Sequence, residues 1–261
     1  MASVWRHRHL IAELARREAA GRFRGAYLGT LWTVLSPLMT IAVFTFVFTM
    51  VFEARWNLPI VSRIDFALIL FLGLILFSVV SEPLSRAPAL ILENPNFVKK
   101  TPFPVEVLPC VTVAVCLLQA GLSFLAFLAI FMAARGMPPL TALALPLMVL
   151  PVALFSLGAS WFLAALGVYV RDIRQMIGVV VMLLMFASPV FYPLSSVPEP
   201  YRDLIAASPI TVILEQSRAA LFAGQAPEPG ALALYAGLGW LAAWGGYGCF
   251  MAMRRGFADA M

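Results

Sequence analysis

Six apolar runs, at about 31–52, 66–81, 107–134, 142–169, 175–192 and 231–253, contain no Asp, Glu, Lys, Arg or His. No other feature constrains the fold as much. A helix rising ~1.5 Å per residue needs ~20 apolar residues to cross a ~30 Å hydrocarbon core. Four of the runs exceed that length, and the second and fifth reach it with their flanks. Helices satisfy their own backbone groups in lipid, where open strands cannot. The sequence therefore predicts an all-α integral membrane protein with six transmembrane helices. With 62% of 261 residues hydrophobic and 12% charged, the chain carries more apolar surface than one soluble core can hide.

The same runs exclude functions. Ion-coupled carriers and pumps need titratable groups at membrane depth, and intramembrane hydrolases need a nucleophile with a polarising partner. The chain has no GxxxxGK[ST] phosphate loop, and its only lysines, Lys99 and Lys100, stand among prolines. Any nucleotide that drives it is bound by another polypeptide, so no cofactor is expected on this chain. Cys110, Cys116 and Cys249 have spacings that suit neither a zinc site nor a disulfide framework.

Charge supplies sidedness. Six crossings put both termini on one side. The arm 1–30, the loop 82–106, the Arg171–Gln175 loop and the tail 254–261 hold thirteen of the 18 Lys and Arg. The positive-inside rule places all four in the cytoplasm, with 31–253 as the multi-pass membrane domain. In the arm, Trp5, Leu10, Ile11, Leu14 and Phe23 recur at helical spacing, with Glu13 and Arg17 one turn apart on the polar side. It reads as an amphipathic interface helix whose partner is anionic lipid rather than nucleic acid.

Two polar interruptions stand out. In Glu82–Pro109, prolines at 83, 88, 95, 102, 104 and 109 divide the chain into short pieces. Only Leu84–Glu93 is long enough for a helix of two or three turns. Such a helix carries Ala87, Leu90 and Ile91 on one side and Arg86 and Glu93 elsewhere, which suits a partner's groove, with a solvated loop as the alternative. In 193–230, prolines bracket helical patterns at about 200–207 and 210–223. In the second, Ile210, Ile213, Leu214, Ser217 and Leu221 share a face, Ser208 stands at the N-cap and Pro209 at the first helical position. Its ~21 Å suits a re-entrant or gate element over an outer mouth, hinged at Ser208–Pro209 and Gly224, with a plain surface helix as the alternative. Glu215 and Arg218 pair with each other, pair across a dimer axis, or form a solvated surface pair.

The runs RFRGAYLGTLWTVLSPL (22–38), NFVKKTPFPVEVLP (96–109), YVRDIRQ (169–175) and SPVFYPLSSVPEPYR (188–202) together resemble the permease subunits of ABC-2 polysaccharide exporters, which move O-antigen, capsular polysaccharide or teichoic acid. The resemblance covers nearly the whole chain, departing where the family commonly has Asn-Pro and this chain has Ser208 and Pro209. It implies six membrane helices, a homodimer around a translocation path, and two copies of a separate ABC ATPase that bind ATP and Mg. It also implies a surface helix before the first span, a cytoplasmic coupling helix after the second, and gate helices between the fifth and sixth. On this reading Arg86, Leu90, Ile91, Glu93, Arg22 and Arg24 couple to the ATPase. Pro209, Ile213, Glu215 and Arg218 belong to the external gate. Phe44, Phe48, Phe186 and Tyr192 line the path, where flat aromatic faces stack on the sugar rings of a lipid-linked polysaccharide, with lipid-facing positions as the alternative. A membrane scaffold, a membrane-enzyme subunit with the same six-helix plan, or a permease for a non-glycan substrate is the rival function.

Overall fold

The computed structural model describes residues 2–22, scattered positions between 31 and 46, 63–99 and 103–257. Among them every regular element is helical. Most of the expected first span, with Arg24, Phe44 and Phe48, lies outside the described residues.

The arm forms α1 (Ala2–Arg6) and α2 (Arg8–Arg22), separated by a turn at His7. Its apolar stripe is split between two environments. Ala15 is buried, with Ile11 and Leu14 beside it, against Val107, Val111 and Val115 of the chain's own core. Trp5 is 74% exposed, and the Arg8 guanidinium lies over its ring, 5.5 Å from the centroid.

Among the described residues, three stretches are long and apolar enough to cross a membrane: Ile64–Leu90, Val105–Arg135 and Leu140–Tyr169. Their α-helical parts are α3 (Arg63–Leu90), α5 (Leu108–Arg135) and α6 (Leu145–Tyr169). The centre of the bundle is α3, flanked by α5, α6 and α7 (Ile173–Ala187). Leu70, Leu72 and Val80 on α3 are fully enclosed. A ladder of aromatic rings runs from Phe71 on α3 through Phe127 and Phe131 on α5 to Phe222, with centroids 6.0, 5.8 and 5.6 Å apart. Such contacts add to area burial by favourable ring geometry.

The chain departs from its expected course in two places. Leu84–Glu93 is not a separate helix: α3 continues through Pro83 and Pro88 to Leu90. Each proline removes one intrahelical hydrogen bond, a cost that close packing offsets. Pro88 supplies that packing, because Gly167 of α6 lies against its backbone so tightly that a Cβ would collide with the carbonyl. The polar loop then begins at Ile91 and contains its own short helix, α4 (Pro95–Lys99). The fifth apolar run is helical only over the 15 residues of α7, about 22 Å, and turns at Ser188–Phe191.

After α7 come α8 (Glu199–Ala206) and α9 (Pro209–Phe222), within two residues of the expected bounds. Ser208 occupies the N-cap of α9 without a side-chain capping bond, so Pro209 alone marks the start. Gly224, at φ 64°, ends the helix in a conformation that L side chains rarely adopt. The 25 residues of α10 (Pro229–Met253) pack along α6. Glycines set that distance. A Cβ on Gly158 or Gly246 would run into the facing backbone, and one on Gly239 would lie 2.6 Å from the Pro151 carbonyl.

Candidate functional site

The fold gathers the arm, the described parts of the loop after α3 and the start of the tail at one end of the bundle. There α2, the end of α3, the following loop and the start of α5 wall a groove of 470 Å³. From α2 come Leu14, Arg17 and Glu18. From α3 and the loop come Arg86, Leu90, Glu93, Asn94 and Phe97, with Leu108 and Val111 of α5 as the floor. The Arg86 guanidinium donates to Glu18, joining two walls 68 residues apart in sequence. Asn94 donates through Nδ2 to the Leu90 carbonyl at 2.9 Å, closing the end of α3. The result is a half-polar cleft with an apolar floor and both signs of charge on its rim.

Among the residues expected to couple to a partner, Arg86 and Glu93 stand on this groove and Glu93 is exposed. Leu90 and Ile91 face inward, at 7% and 0% exposure, and pack with Leu108, Trp161 and Phe250 of the same chain. The expected apolar side of the loop helix is thus part of this chain's core. Arg22 is the last residue of α2.

At the same end, where arm and tail meet the loop, lies a residue that the sequence reading passed over. Glu106 is 3% exposed, yet accepts hydrogen bonds from Ser3 Oγ at 2.7 Å and Arg254 Nη1 at 2.9 Å. Trp161 Nε1 donates to its backbone carbonyl at 2.9 Å. The signal was present as the lone charged residue between Pro104 and Pro109.

The opposite end is organised by two arginines. Arg218 on α9 is 1% exposed, so the pair with Glu215 is not a solvated one. Its Nη1 donates to Pro189 O at 2.7 Å and Glu215 Oε1 at 3.0 Å, and its Nη2 to Val190 O at 2.9 Å. Gly73 of α3 makes room, since a Cβ there would lie 3.1 Å from Nη2. Burial pulls the guanidinium down to about 10 against the raising effect of Glu215, so it stays charged at neutral pH. Arg135 donates to Asp65 at 2.6 Å and lies 5.2 Å from the ring centre of Phe222. Thr141 donates to Ala220 O at 2.6 Å. These contacts bind α9 to α3, α5 and the 3-10 turn, Leu140–Ala144, that precedes α6.

Ile213 is buried in this packing and Pro209 opens the helix. By contrast, α8 buries no residue, with Tyr201 62% and Leu204 76% exposed. Phe186, 60% exposed, stands on an outward face of α7 together with Met176, Leu183 and others. Tyr192 folds back, its hydroxyl donating to Phe186 O at 2.8 Å.

The family model described as "ABC-2 type transporter" matches residues 9–222. This chain belongs to that family. Among ABC-2 proteins, the O-antigen export system permease protein RfbA of Myxococcus xanthus is 29% identical over 260 residues, covering 99% of this chain and 97% of the relative. A Klebsiella pneumoniae protein of the same description is 24% identical, covering 78% and 77% of the two chains. The polysialic acid transport protein KpsM of Escherichia coli is 24% identical over 84% of this chain and 83% of its own length.

Proposed function

We propose that this ABC-2 chain is the membrane permease subunit of an ATP-driven exporter that moves a lipid-linked polysaccharide from the cytoplasm across the inner membrane. The observation that carries this reading is end-to-end similarity to an O-antigen export permease, over 97% of that relative's length. The geometry supports it. A permease that binds no ATP needs a docking surface, and the groove between α2, α3 and the following loop is walled by both the basic arm and the polar loop. ATP and Mg are then held by two copies of a separate ATPase seated at that end. Six membrane crossings, with both termini cytoplasmic and 193–230 external, agree with the distribution of Lys and Arg. Two copies of the chain enclose the path between them, since helices of this composition pack with one another but do not line a wide polar channel singly.

Deleting the chain in the organism that makes it should abolish surface polysaccharide while the polymer accumulates inside, and re-expression should restore export. Normal surface polysaccharide in the deletion strain would overturn the reading.

A further inference from the structure

The arm, the loop and the tail meet on one buried carboxylate. Ser3 and Arg254 lie 103 and 148 residues from Glu106 in sequence, and each occupies a different oxygen of its side chain. The third link goes inward through the Glu106 carbonyl to Trp161, which is fully buried on α6. Glu106 itself is held by a 3-10 turn, Val105–Val107, that closes with Val107 N–H on Pro104 O at 2.9 Å. The helix that carries Ser3 leads into α2, which walls the groove.

We propose that Glu106 is a positioning residue for energy coupling, a lock that fixes both chain ends to the loop so that displacement of the groove reaches α6. The proposal rests on the exporter reading. A buried ion pair is a poor source of stability, because apolar residues of similar size often serve as well. What a carboxylate shared by two distant segments supplies is a fixed separation between them. Without it, a load applied at the groove moves the arm or the tail instead of the membrane helices.

The test uses the full permease with its ATPase in vesicles and reads polysaccharide exported per ATP hydrolysed. Arg254→Ala and Glu106→Ala should each lower that ratio by on the order of tenfold at unchanged yield of the complex. Arg254→Lys should retain most of it, and the double alanine variant should be no worse than the worse single one. An unchanged ratio, or single effects that multiply, would overturn the lock. Arg254 is 38% exposed, so its removal leaves no void and keeps the test open if Glu106→Ala fails to fold. Trypsin cleavage after Arg8 in washed membranes is an independent readout: Glu106→Gln should accelerate it, and wild-type kinetics would overturn the lock. A wild-type complex that hydrolyses ATP but exports no polysaccharide would instead end the exporter reading.

Discussion

Arg218 shows how a charged side chain becomes a structural part. Its guanidinium supplies donors to two carbonyls just after α7 and leaves its own helix partner, Glu215, 39% exposed at the rim. Removing it strands the Pro189 and Val190 carbonyls beside Gly73. Arg218→Ala should therefore cost about 3 kcal/mol in unfolding of the detergent-solubilised protein, whereas Glu215→Gln should cost less than about 1 kcal/mol. Equal effects would mean that the ion pair, not the carbonyl contacts, carries the stability. The apolar face of α9 was legible because Ile210, Ile213, Leu214, Ser217 and Leu221 repeat at helical spacing, and all five are buried. The burial of Arg218 was not. Its partners lie 28 and 29 residues earlier, and local pattern carries no information about carbonyls brought in by a turn.

Among the elements, α8 and α9 differ in how they are held. The sequence expectation makes both helices a gate; α9 is tied down by Arg218, Phe222 and the Thr141 bond, while α8 buries no residue and is anchored across the chain at its C-cap, where Tyr235 donates to Ala207 O at 2.9 Å. Local opening is cheapest where few apolar groups are buried. Single cysteines at Tyr201 and Leu204, in a background lacking the native thiols, should react rapidly with an impermeant thiol reagent. Those at Ile213 and Leu214 should stay protected, and fast labelling of the latter pair would show that α9 moves. Continuity of α3 through Pro83 and Pro88 was illegible for a related reason: proline's penalty is local, while the contact that offsets it comes from Gly167, far along the chain. It changes what a mutation reports. Leu90→Asp and Ile91→Asp should reduce the yield of folded protein, since each carboxylate would be buried without a partner. Glu93→Arg, at an exposed rim position, should leave yield unchanged and weaken ATPase retention in a pull-down. Full retention would move the docking surface elsewhere.

At the scale of the whole molecule, the count of Lys and Arg puts arm, loop and tail on one side, and the structure brings Ser3, Glu106 and Arg254 of those three segments together. Which helices would touch was hidden in the glycines. Only some of them matter: Gly158, Gly239 and Gly246 lie against facing backbone, whereas Gly245 and Gly248 have open space. Gly158→Ala or Gly246→Ala should lower stability by about 2 kcal/mol in thermal unfolding, with Gly245→Ala and Gly248→Ala unchanged. A uniform response across the four would dissociate stability from the α6–α10 seam. That seam also sets an order of events during synthesis. The face of α6 around Gly158 has no partner until α7, α8 and α9 have been made and α10 has followed, and Arg254 reaches Glu106 only after that. A nascent chain halted before α10 therefore displays an unfilled helix face together with a carboxylate that lacks its arginine, which gives membrane quality control a way to tell a half-made permease from a finished one.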